Sequence, residues 1–255
     1  MMTGDFLALL PKSPFAQLSA SPVAPEPIHA TTVFAFHCAD GVIIAGDHRA
    51  TAGNMIFSDR TEKILDLDSH TLMAIAGVPA MAFEMARTLQ TSFEFYRRSQ
   101  LQPMSLRAKI RALSKLLRDN LPATIQGIGV VAPIFVGVET GPGSDQARPE
   151  IHFYDPLGAQ FEATNYAASG SGSHSIRSVL SYLEKWGDPS PDKLSLDAAV
   201  TLANRLLMTA AEFDSATGGV QPEQRRFATI KLLNRRGIQT ISAEEQQRRW
   251  RSATP

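Results

Sequence analysis

Cysteine is nearly absent: Cys38 is the one thiol in 255 residues, so no disulfide can form within the chain, and a reducing compartment suits it. It ends an apolar run, where a buried structural thiol is expected. No stretch approaches the ~18 apolar residues of a membrane-spanning helix. Neither sign of charge prevails, with 25 Lys and Arg against 25 Asp and Glu, so no global field draws the chain to nucleic acid or to an anionic membrane. The six histidines form no HxxxH or Cys/His cluster, and no metal site is expected. The run Ser169-Gly170-Ser171-Gly172-Ser173 lacks the spacing and the lysine of a phosphate-binding loop. No cofactor is expected either.

Residues 1–30 differ from the rest. Pro11, Pro14, Pro22, Pro25 and Pro27 are scattered among Ser and Ala without periodicity, which reads as an extended leader. It is a poor secretory signal: Asp5 precedes the short apolar run Phe6–Leu10, and Pro11 breaks it.

The richest stretch runs from Thr31 to Gly77. Two alternating apolar runs, 31–38 and 41–47, flank Asp40-Gly41, a strong hairpin signal. Thr31 stands at the free end of the first strand, Asp47 follows 16 positions later, and Lys63 another 16 after that. A cut before Thr31 would give one residue both a hydroxyl and a free α-amine. Such an amine has a reference pKa of ~7.7–8.0, in the range where a general base works near neutral pH. The hydroxyl could then act as a nucleophile with no histidine required.

Beyond it, Lys63–Leu67 and Thr71–Ala76 read as strands. Ala82, Ala86, Leu89, Phe93 and Tyr96 have the spacing of one helix face. Pro103 and Ser105 open a second helix with Leu106, Ile110, Leu113 and Leu117 on one stripe, and Arg107, Lys109, Arg111 and Lys115 on a solvated face. Ile128–Val138 reads as a strand in which Pro133 marks an edge or a bulge. Ile151–Asp155 and Gln160–Tyr166 form a hairpin, two helices follow (the second capped by Ser195), and Phe227–Leu233 with Ile238–Ile241 closes the pattern. The tail Glu244–Arg251 reads as charged and peripheral. This order predicts an α+β fold in which helices cover sheets.

Six motifs in sequence carry a resemblance: Thr31-Thr32; Gly46-Asp47-His48-Arg49-Ala50-Thr51-Ala52-Gly53-Asn54; the Lys63-Ile64 strand; Ala74-Ile75-Ala76-Gly77; Ser169–Ser173; and Asp214-Ser215-Ala216-Thr217-Gly218-Gly219. Together they resemble the β subunit of the 20S proteasome, bacterial type, a threonine protease of the N-terminal-nucleophile hydrolase superfamily. The resemblance implies a four-layer αββα sandwich, two stacked antiparallel sheets flanked by helices. It implies that 1–30 is a propeptide removed by autocatalytic cleavage between Ala30 and Thr31, leaving 31–255 as the protease domain. Thr31 would be the nucleophile, Lys63 the cation that tunes it, Asp47 the partner of Lys63, and the Gly77 N–H the oxyanion donor. Ser171, Asp214 and Thr217 would complete the polar set, with threonine where the family commonly has serine. His48 reads as a variant of the motif and not as a base. Ala50, Thr61, Leu65, Ile75 and Pro79 would line an uncharged substrate pocket.

The family usually has glycine where Ala30 stands. If the cleaved turn needs positive φ, alanine costs about 1–2 kcal/mol there, a slowing of roughly tenfold. The implied partners are α subunits and other β subunits in stacked seven-membered rings, an ATPase unfoldase ring and unfolded protein substrates, in the cytoplasm. The Leu106–Leu117 helix face and the C-terminal tail are candidate ring contacts. Two alternatives share the fold: a structural ring subunit without activity, and a small-molecule amidohydrolase working outside a ring.

Overall fold

A computed structural model describes residues 31–52, 55–141, 143–144, 146–163 and 165–253. The leader and Ala30 lie outside the described residues.

The chain enters on β1 (Thr32–Cys38) and returns on β2 (Gly41–Gly46). The turn between them is Ala39-Asp40, one residue earlier than Asp40-Gly41, because Gly41 already pairs with Cys38. The Asp40 carboxylate is used elsewhere, accepting the Leu196 N–H at 3.0 Å. Along β1, Val33 and Ala35 face one side, and Phe34, Phe36 and Cys38 the other; both sides are buried. Alternation therefore divides two apolar faces instead of an apolar face from a wet one.

Sheet one has the order β10-β1-β2-β11-β12, with β10 (Tyr166–Gly170), β11 (Thr229–Asn234) and β12 (Gly237–Thr240). Sheet two runs β5-β6-β7-β8-β9, made of β5 (Ile64–Asp68), β6 (Thr71–Ala74), β7 (Ile134–Gly137), β8 (Glu150–Tyr154) and β9 (Gln160–Ala163). All pairings are antiparallel. Val33, Ala35, Val42 and Ile44 of sheet one meet Ile64, Leu72, Ile134 and Val136 of sheet two in a shared core. The outer face of sheet two packs on α1 (Pro79–Gln100) and α2 (Leu106–Asp119). That of sheet one packs on α4 (Ser173–Trp186) and α5 (Leu196–Phe213). The layers are therefore helix, sheet, sheet, helix: the α+β sandwich expected.

Several local expectations change. The strand expected over 128–138 begins after Pro133, as β7, and lies inside the sheet between β6 and β8. Proline is tolerated there because it precedes the ladder and needs only its carbonyl, which accepts the Tyr154 N–H at 3.3 Å. A hairpin of β3 (Ala50–Ala52) and β4 (Met55–Ser58) was not anticipated; its exposed Met55, Ile56 and Phe57 carry no alternation. Tyr166, expected to end the strand from Gln160, instead opens β10, which runs through Ser169 and Gly170 in the other sheet.

Lys109 is buried, not solvated. Its ammonium meets Asp68 at 2.6 Å and Thr71 Oγ1 at 3.1 Å and lies 5.5 Å from the Phe93 ring centroid, so its charge is shared by three groups. The Leu106–Leu117 stripe faces sheet two and cannot also be a ring contact. The tail is α6 (Ala243–Ala253), seated on α5: Gln246 is buried with its amide on Asn204, and Trp250 packs against the core. A short α3 (Leu121–Ile125) follows α2. Among the described residues no helix is long and apolar enough to cross a membrane.

Candidate active site

Thr31 precedes β1 at the mouth between β10 and β2 and is 3% exposed. Its carbonyl accepts the Ser171 N–H at 3.0 Å. That closeness depends on Gly170, whose φ is +96° and whose place leaves no room for a side chain: a Cβ there would lie 1.6 Å from the Thr31 oxygen.

Asp47 follows the last residue of β2, which pairs with Val33, so the hairpin register carries its carboxylate back to the start of β1. Oδ1 accepts the Thr32 N–H at 3.0 Å and the Lys63 ammonium at 2.6 Å. Oδ2 accepts the N–H of Arg49 at 2.9 Å and of Gly218 at 2.8 Å. Both members of the ion pair are about 1% exposed. Four donors on one carboxylate are what a buried anion requires. Lys63 also donates to the Arg49 carbonyl. Burial pushes its ammonium below the ordinary lysine value, with Asp47 opposing the shift and Arg49 adding to it. This cation, bound to the carboxylate oxygen that also holds the Thr32 N–H, can stabilise a nearby alkoxide and lower the pKa of a neighbouring amine.

A second network runs beside the first. Thr217 Oγ1 donates to Asp214 Oδ2 at 2.5 Å, and Ser171 Oγ donates to the same oxygen at 2.6 Å. A hydroxyl has one proton, so in the 2.6 Å contact between Thr32 Oγ1 and Thr217 Oγ1 it is Thr32 that donates. The Thr32 oxygen in turn accepts the Gly172 N–H at 3.0 Å. The hydroxyls of Thr32, Thr217 and Ser171 are therefore all committed in one directed chain ending on Asp214. Burial pushes the Asp214 carboxyl up. Its hydrogen bonds from Ser171, Thr217 and the Ala216 N–H, with the charge of Lys63, outweigh that and leave it below the usual value.

Gly77 forms an isolated bridge with Val131 in which Ala76 and Val78 make the two hydrogen bonds, at 2.9 and 2.8 Å. In this narrow pairing the bridge residue's own N–H points away from the partner. With φ at +109° and a Cβ position 2.1 Å from the Val130 oxygen, only glycine fits.

Of the five expected pocket residues, Leu65 and Ile75 lie beside Lys63. Ile75 N–H bonds the Lys63 carbonyl at 2.9 Å, Leu65 and Ile75 pack in the cluster under α1, and Pro79 opens that helix. Ala50 lies in β3, and Thr61 is held to the His48 carbonyl at 3.0 Å. A cavity of about 760 Å³ between α4, α5 and α6 contains none of the expected site residues. His48 sits apart from both networks, with Nε2 3.5 Å from Thr229 Oγ1. Among the described residues no group of three or more His, Cys, Asp or Glu could hold a metal ion.

Two residues were missed as site members. Arg49 joins both networks: its backbone serves Asp47 and Lys63, while its side chain binds Asp59 at 3.1 Å and the carbonyls of Ser215 and Thr217 at 3.0 and 3.3 Å. Thr32 supplies the N–H and hydroxyl described above. Both lie inside motifs already singled out, but nothing in spacing distinguishes their roles.

A family model described as "Proteasome subunit" matches residues 28–221. A protein from Streptomyces griseus named "Proteasome subunit beta" is 34% identical over 222 residues, covering 87% of this chain and 75% of the relative. One of the same name from Jonesia denitrificans is 35% identical over 214 residues, covering 84% and 67%.

Proposed function

The chain belongs to the proteasome subunit family, alongside bacterial β subunits, and from that premise we propose that it is a proteolytic subunit with Thr31 as its terminal nucleophile. The buried Lys63–Asp47 pair, sharing one carboxylate oxygen with the Thr32 N–H, carries this reading. A subunit with only a structural role gains little from a desolvated charge pair at that spot.

In the proposed reaction the Thr31 hydroxyl attacks the scissile carbonyl and its proton passes to the α-amine of the same residue. Lys63 stabilises the developing alkoxide, and the Gly77 N–H faces the oxyanion. Collapse forms an ester on Thr31, and the departing amine takes the proton from the α-ammonium. Water, deprotonated by the same amine, then frees the enzyme. The Thr32 hydroxyl already donates to Thr217 and accepts from Gly172, and the Thr32 nitrogen is a peptide N–H held by Asp47, so Thr32 offers no amine base. Maturation uses the same attack on the Ala30 carbonyl and releases the leader. The subunit works within stacked rings with α subunits and other β subunits, in the cytoplasm, on unfolded chains delivered by an ATPase ring.

Intact mass of the assembled particle tests this directly. A chain beginning at Thr31 is expected, and Thr31→Ala should leave the leader attached and abolish peptide hydrolysis. An uncut wild-type chain, or hydrolysis undiminished after the terminal amine is blocked, would overturn it. The uncharged pocket set predicts preference for an apolar residue before the cleaved bond; equal turnover of reporter peptides ending in Arg, Glu and Leu contradicts that.

A further inference from the structure

Behind Asp47, a cavity of about 410 Å³ shares a wall with the catalytic web. Four arginines line it, Arg49, Arg60, Arg225 and Arg226, against two aspartates. Both acids are already neutralised, Asp47 by Lys63 at 2.6 Å and Asp59 by Arg49 at 3.1 Å. The side chains of Arg60, Arg225 and Arg226 have no acidic partner among the described residues. His48 and buried Phe227 also line it.

The segment that presents two of these arginines is built, not loose. Gln221 and Arg226 exchange backbone hydrogen bonds of 2.8 and 3.0 Å around a short 3-10 turn, and Arg225 closes that turn with φ at +54°, a left-handed conformation uncommon for a side-chain-bearing residue. Arg60, Arg225 and Arg226 are all exposed, and they line one concavity whose two acids are already paired. Their forked donors match an anion with several equivalent oxygens, and three guanidiniums suit a dianion better than a monocarboxylate.

We propose that this cavity binds a small oxyanion of the phosphate class. The anion is either free phosphate or the phosphoryl group of a modified side chain on a protein reaching the site. The assignment does not depend on the proteolytic reading, because its readout is binding.

The test is calorimetric titration of the full chain with sodium phosphate at constant ionic strength. One saturable site per chain is expected, weakened at least tenfold by Arg225→Gln with Arg226→Gln and unchanged by Arg107→Gln with Arg111→Gln, which removes equal charge from the exposed side of α2. Circular dichroism and Tm verify that both double variants fold; if the first does not, Arg60→Gln replaces it with the same expectation. Tighter binding of a phosphoserine peptide than of inorganic phosphate assigns the source to a modified side chain, and the reverse assigns it to free phosphate. Unsaturable heats, or equal weakening by both double variants, would mean only a diffuse cationic surface and overturn the proposal.

Discussion

Lys63 and Asp214 are two charged groups of one site kept in order by opposite means. Lys63 loses water on every side, and two oxygens only partly restore what hydration gave it. Asp214 is partly open, and its donors outweigh its burial. The sign of its effect on stability follows. A carboxyl whose folded pKa lies below its unfolded value of about 3.9 stabilises the fold above that value, and the contribution fades as pH falls through the folded pKa. Ser171→Ala removes one donor and brings the folded pKa closer to the unfolded one. Acid unfolding, followed by the fluorescence of Trp186 and Trp250, should then begin at a higher pH than in the wild type. An unchanged or lowered midpoint would show that the Ser171 hydrogen bond does not stabilise the ionised form.

Among the elements, α2 shows how a charge can join layers. Lys109 rises from the helix to the β5–β6 turn, where Asp68, Thr71 and the Phe93 ring receive it. Lys109→Ala should cost about 2–3 kcal/mol in denaturant unfolding, less than the 3–5 typical of a broken buried pair, because Asp68 is 28% exposed and can turn to water. Lys109→Met, which keeps most of the stem, should cost less than alanine; an equal loss would place the effect in the charge alone. Lys231 plays a similar part between the sheets, reaching from β11 to the Ile64 carbonyl at 2.9 Å and Asp66 at 2.8 Å. It braces the strand just after Lys63.

For the whole molecule, the outer helical layer leaves Tyr182 and Trp186 on α4 and Phe213 at the end of α5 between 63% and 79% exposed. Aromatic residues this exposed on adjoining helices are typical of protein contacts, and ring assembly would cover them. Tyr182→Ser with Trp186→Ser should therefore lower the particle mass measured by light scattering while leaving the far-ultraviolet dichroism of the subunit intact. Assembly at wild-type mass would place the contact elsewhere.

By itself the sequence determined the hairpin around Asp40, the helix stripe of α2, the Ser195 cap of α5, and the even spacing of Thr31, Asp47 and Lys63, since each depends on a local period or a short motif. It could not say that Lys109 is buried or that α6 docks on α5, because a charge-rich helix reads as wet until its neighbours are in place. Nor could it say what the Thr32 hydroxyl meets. Its partners are Gly172 and Thr217, more than a hundred residues away, which the stacked layers bring to the Thr32 oxygen. Local pattern fixes which way a side chain faces along its own element. Only packing fixes what it meets, and here the meeting decides which hydroxyl is committed and which lysine loses its water.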